Sequence, residues 1–131
     1  MEAIKLSHQL LAAAGSPTTT FAPGEVIFRE GDKADKMYVV LSGEVEVRLQ
    51  GTVIDTLAQG ATFGEMALID GSPRSATVVA KTSSEVAAIN EKTFVLLVDE
   101  MPYFALSTMR NLVDRLRRMN EQWLALRQRA L

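Results

Sequence analysis

The chain has 131 residues, 47% of them hydrophobic and 23% charged, with a formal net charge of −2, no cysteine and one histidine. That length suits one domain able to bury roughly two-thirds of its unfolded surface, and the composition fits neither a disordered nor a fibrous chain. Without cysteine there are no disulfides, no thiol catalysis and no cysteine-ligated metal, and His8 alone cannot make a metal site.

Residues 2–14 suit a short helix, with Ile4, Leu10, Leu11 and Ala14 near one side. The stretch LLAAAG has some look of a signal peptide, but its apolar core is short and interrupted, so an amphipathic helix is the better reading. No apolar run approaches the roughly 20 residues that a membrane helix needs. GSPTTT then breaks the chain. From residue 18 to 90 the pattern is that of strands. Met37, Val39 and Leu41 alternate with Tyr38 and Val40, and Val45, Val47 and Leu49 alternate with Glu44, Glu46 and Arg48. Turn signals recur at short intervals (APGE, EGDKAD, SGE, LQGT, AQGA, DGSP), which predicts an antiparallel barrel or sandwich of the jelly-roll kind.

At residue 91 the period becomes helical. EKTFVLLVDEM places Phe94, Leu97, Val98 and Met101 on one face, and Pro102 ends that helix. A longer helix is predicted over 103–128. Leu106, Met109, Val113, Leu116, Asn120 and Trp123 follow the steps of a coiled-coil seam, beside a second stripe of Ala105, Leu112, Leu116, Met119, Trp123 and Leu126. Two stripes can serve two surfaces, the chain's own barrel and a partner; one wide core face is the alternative. Residues 102–131 also carry six arginines against Asp114 and Glu121, a local charge of +4 that leaves −6 for the rest. With no helix-turn-helix and no interleaved aromatics, these arginines read as a solvated helix face rather than a nucleic-acid patch.

The chemistry concentrates in FGEMALIDGSPRSATV, residues 63–78. Glu65 to Ile69 can form one helical turn whose first N–H groups lack intrahelical acceptors. Gly64 permits close backbone approach. Arg74, returning after the DGSP turn, can grip phosphate oxygens with its fork. A carboxylate repels phosphate but accepts a hydrogen bond from a sugar hydroxyl, so Glu65 and Arg74 together suit a ribose phosphate. An ordinary surface ion pair between Glu65 and Arg74 uses the same residue types, and the residues alone leave both open.

This stretch resembles the phosphate-binding cassette of the cyclic nucleotide-binding domain family, in the pattern F-G-E-x-[AG]-L, a short turn, then R-[AST]-A. PGEVIFREGDKADKMYVVLSGEVEV is similar to the family's early strands, glycines included, and the similarity spans about residues 18–128. The resemblance implies an antiparallel eight-stranded jelly-roll β-barrel within a single domain: an N-terminal helix and linker over 1–17, the β-roll over 18–90, and C-terminal helices over 91–131. It implies a cytoplasmic sensor, not an enzyme, that binds cAMP or cGMP and signals by closure of the C-terminal helix. The ligand-binding residues it implies are Phe63, Gly64, Glu65, Met66, Ala67, Leu68, Arg74, Ser75 and Ala76. Of these, Glu65 would bond the ribose 2′-hydroxyl, the backbone at Gly64 and Ala67 would face the phosphate, Arg74 would neutralise an exocyclic oxygen, and Ser75 would add a hydroxyl next to it. Ser75 does not settle which nucleotide binds.

By the same resemblance, a residue of the long helix caps the base. Counting from Pro102 places that position at Asn120, beside Met119, with Trp123 one turn later; Asn120 as a register-fixing polar residue of a dimer seam is the competing reading. A homodimer or partner protein through helix 103–128 is expected, with no direct nucleic-acid contact and no membrane segment. A metal-dependent enzyme on a similar barrel would want two or three histidines. The remaining alternative is the sensory fragment of a transcription regulator or ion channel whose output domain lies outside this chain.

Overall fold

The computed structural model describes Leu11 and residues 15–130. The helix expected over 2–14 lies outside the described residues except for Leu11, which is helical and fully buried. Eight strands are formed among the described residues: β1 Thr18–Phe21, β2 Val26–Phe28, β3 Lys36–Ser42, β4 Val45–Leu49, β5 Thr52–Leu57, β6 Thr62–Phe63, β7 Thr77–Ala80 and β8 Ser84–Asn90. Three further helices are formed among the described residues: α1 Met66–Asp70, α2 Glu91–Glu100 and α3 Tyr103–Ala130.

The strands pair antiparallel in two sheets of four, ordered β1-β8-β3-β6 and β2-β7-β4-β5. The expected eight-stranded barrel is thereby corrected: the sheets do not close into one. Pairing stops at the two-residue β6 on one sheet and at β5 on the other, so the roll stays open there. The β4–β5 hairpin turns on Gln50 and Gly51, both with positive φ (50° and 83°). A two-residue loop of that kind matches the right-handed twist of its strands, which is why the glycine of LQGT sits at its second position.

The first sheet is buried on both faces. Val40 and Val86 pack inward against Val45, Leu57 and Val78 of the second sheet, with Phe63 beside them. Met37, Val39, Ala87 and Ile89 point the other way, against Leu11, Leu97 and Phe104. A strand covered on both sides has no solvent face to fill with polar residues, and MYVVL is accordingly apolar at both alternating sets.

Asn90 starts α2 by accepting the Thr93 N–H at 2.8 Å. Phe94, Val98 and Met101 join Leu97 against the sheet, the face that the spacing predicts. Met101 leaves the helical region (φ −137°, ψ 82°) ahead of Pro102, whose ring disfavours helix in the preceding residue. α3 then buries Phe104 and Thr108 in its first two turns, and every residue from Leu116 to Ala130 is exposed. Its first part is anchored on the roll and its last part projects from it.

Candidate functional site

The FGEMALIDGSPRSATV segment forms the rim of a cavity of ≈ 510 Å³ between the second sheet, α1 and the middle of α3. That volume is in the range of small-molecule pockets. Gly64 turns the chain out of β6 with φ 78°, a conformation that needs glycine. α1 follows as one turn, closed by Gly71 in the left-handed region, whose N–H bonds the Ala67 carbonyl at 3.2 Å. Asp70 then fixes the next turn by accepting both the N–H (2.9 Å) and the hydroxyl (2.5 Å) of Ser72. Those bonds hold its carboxyl below the usual range.

Arg74 enters after this turn, and the early EGD loop clamps its backbone. The Gly31 N–H bonds the Arg74 carbonyl at 2.8 Å, and the Arg74 N–H bonds the Asp32 carbonyl at 2.9 Å. The side chain is buried, 8% exposed, and donates from Nη1 to the Gly64 carbonyl at 3.1 Å. Its Cζ lies 4.0 Å from the centroid of the Phe28 ring and 5.5 Å from that of Tyr38. Burial pushes its pKa below the ordinary arginine value, opposed by the Tyr38 side chain and, more weakly, by the charges of Asp35 and Asp32. The guanidinium remains a cation at neutral pH. Among the described residues it forms no ion pair within 4.0 Å.

Glu65 is also buried, 4% exposed. Its Oε2 accepts from Nη1 of Arg115 at 3.3 Å, and its Oε1 is buried with no hydrogen-bond partner. The surface Glu65–Arg74 pair that residue types alone allow is therefore not what forms. Each group takes another partner, and both line the same cavity. A buried carboxylate oxygen without a donor is costly unless something supplies one. The arrangement thus offers an acceptor for a hydroxyl and, from Arg74, donors for an anion. Ser75 adds a hydroxyl whose contact is the weak acceptor Met66 Sδ at 3.8 Å. The far wall is apolar: Val47 and Leu49 of β4, Ile54 of β5, and Leu112, Leu116 and Met119 of α3.

A family model for the cyclic nucleotide-binding domain matches residues 18–101. The chain belongs to that family. Among curated proteins it is 45% identical over 78 residues to the cAMP-dependent protein kinase regulatory subunit of Yarrowia lipolytica, covering 58% of this chain and 21% of that one. Among solved structures it is similar to the Thermus thermophilus catabolite activator protein, with TM-score 0.71 and 30% identity over 92% of this chain and 60% of that one. It is similar too to a cyclic nucleotide-binding domain from Methylobacillus flagellatus, with TM-score 0.68 and 26% identity over 96% and 75% of the two chains. The chain thus spans about a fifth of the kinase subunit's length.

Within this cyclic nucleotide-binding domain, Phe63, Gly64, Glu65, Met66, Ala67, Arg74, Ser75 and Ala76 all line the cavity. Leu68 does not; it packs on the opposite side of α1, against the core beneath α2 and α3, and ties the turn to the fold. Of the three base-cap positions only Met119 reaches the cavity, whereas Asn120 and Trp123 are exposed beyond it. The Trp123 ring instead meets the Arg127 guanidinium, 5.3 Å from its centroid. By residue 120 the helix has left the roll.

Arg115 was hidden in the sequence. Reading all six arginines as a solvated face is corrected for this one. It lines the cavity, donates to Glu65 and to the Thr62 carbonyl, and lies 3.8 Å from an oxygen of Asp55. Arg118, one turn later, pairs with that Asp55 oxygen at 2.9 Å. Asp55 interrupts the apolar strand TVIDTL, the one local sign that a cation should approach β5.

Proposed function

We propose that this domain is a cytoplasmic sensor that binds cAMP or cGMP in the cavity between the cassette and α3, without catalysing a reaction. The observation that carries the reading is the pairing of two buried, incompletely satisfied charges in one cavity: Glu65 with a free Oε1 and Arg74 without a carboxylate partner among the described residues. A cyclic nucleotide supplies what each lacks. Its ribose 2′-hydroxyl donates to Glu65 Oε1, and its phosphate accepts from Arg74, with Ser75 and the backbone near Gly64 and Ala67 beside it. The base then lies against the apolar wall, with Met119 as the helical contact in place of Asn120 or Trp123.

In this reading α3 reports occupancy. Arg115 ties the helix to the carboxylate that takes the ribose, so the ligand favours the docked helix to the extent that it binds that state more tightly. The exposed seam of α3 (Leu106, Met109, Val113, Leu116, Trp123) then offers a surface for a second copy, with Asn120 fixing register. The alternative, a sensory part of a longer regulator or channel, uses the same pocket. Calorimetric titration with cAMP and cGMP side by side tests the proposal: saturable one-site binding of either supports it, and no heat or competition with both sinks it.

A further inference from the structure

The anion site raises a problem that its own residues do not answer. Arg74 is buried yet faces no carboxylate of the described residues within ion-pair distance, and it uses one N–H on the Gly64 carbonyl. The Tyr38 side chain and the more distant charges of Asp35 and Asp32 favour the cation but do not fix its plane, and a forked donor is effective only when that plane is fixed. Rings supply a further restraint. Phe28 of β2 lies 4.0 Å from the guanidinium carbon, and its own orientation is set by Tyr38 of β3 and Phe63 of β6, each with its centroid 5.8 Å away. Tyr38 and Phe63 are in turn stacked at 5.2 Å and 16°. Three rings from two sheets thus form a rigid support, and a Cβ built on Gly64 would stand 2.6 Å from Nη1.

We propose that Phe28 is a positioning residue for the phosphate: its ring face holds the Arg74 guanidinium in one plane and leaves the remaining N–H donors aimed into the cavity. The ring's negative face also offsets the loss of hydration around a buried cation. Phe28 also packs against the inner core, and core packing is the competing role. The two roles differ in what they depend on. Packing depends on ring volume, whereas positioning of a cation depends on the ring's electron density.

The inference rests on the proposed nucleotide binding, and the test separates the two. Phe28 is replaced by 4-fluoro- and then 3,4,5-trifluorophenylalanine, which keep the ring's shape while draining its face, and cAMP and cGMP affinities are measured by calorimetry. Each step should weaken binding, by about five-fold over the series. The same replacements at Phe94, a ring packed on Phe104 in the core beneath α2 and α3, should leave affinity unchanged. A second readout uses the two phosphorothioate diastereomers of the bound nucleotide. A fixed fork distinguishes them, so their affinity ratio should shrink along the Phe28 series. Constant affinity and constant ratio, with native binding intact, would overturn the role of Phe28 alone. Failure of the native chain to bind either nucleotide would overturn the functional reading and this inference with it.

Discussion

Replacing Arg115 by methionine should cost the fold about 2 kcal/mol, and neutralising Glu65 as well should add nothing to that loss. Arg115 is only 21% exposed and Glu65 only 5%, so solvent screens their pair weakly. Hydrogen bonds to charged groups contribute about 1.5–3 kcal/mol, and leaving a buried charge without its partner costs about 3–5 kcal/mol. The 3.3 Å contact is long, and the arginine keeps some access to water, so the lower part of those ranges applies here. Arg115→Met leaves Glu65 buried with neither oxygen bonded, because Oε1 already lacks a donor. Glu65→Gln alone should cost about 1 kcal/mol, since Arg115 keeps the Thr62 carbonyl and Asp55. The double variant should be no less stable than Arg115→Met. Urea unfolding followed by far-UV circular dichroism gives all four corners of the cycle. Single-variant losses that simply add would mean that this arginine and this carboxylate do not interact, and the docked position of α3 would lose its main anchor.

Three further outcomes follow from the same geometry. Arg74→Ala removes the cation proposed to meet the phosphate, a loss typically of about 2–5 kcal/mol, so affinity measured by calorimetry should fall about 30-fold to several thousand-fold in a chain that remains folded. Gly64→Ala forces a side chain into φ 78° and against Arg74 Nη1, and should cost about 1–3 kcal/mol in a urea melt while also weakening nucleotide binding. Saturating cyclic nucleotide should slow amide hydrogen exchange in residues 112–119 as well as in 63–78, since α3 supplies one wall of the cavity; unchanged rates in α3 would make it a passive packing element.

The parts of this fold that local pattern controls were readable in the sequence. Alternation in MYVVL and VEVRL, glycine at the β4–β5 turn and Pro102 between two helices each act through neighbours in the chain, and each element lies where its pattern predicts. The face of α2 was readable for the same reason. Closure of the roll was not, because it depends on how far β5 and β6 pair across sheets, and β6 is only two residues long. The cassette was legible through its residue types and its resemblance to a family, but its pairing was not. Glu65 and Arg74 are nine residues apart and look like partners, yet Glu65 bonds an arginine 50 residues away. No periodicity distinguishes Arg115 from the other arginines of α3, and none marks Phe28 as the ring beneath Arg74. Which residue of α3 reaches the cavity was not legible for a similar reason: where α3 leaves the roll depends on Arg115 and Arg118 reaching Asp55, a contact between distant segments.

The central claim is that Glu65 receives the ribose hydroxyl of a cyclic nucleotide, and a binding cycle between protein and ligand tests it most directly. cAMP and its 2′-deoxy form are titrated into the native chain and into Glu65→Gln, or cGMP and its 2′-deoxy form if the guanine nucleotide binds better. Each single change should weaken binding by about 1–2 kcal/mol, and the second change should add little once the first is made. Losses that add in full would place the hydroxyl elsewhere and contradict the account.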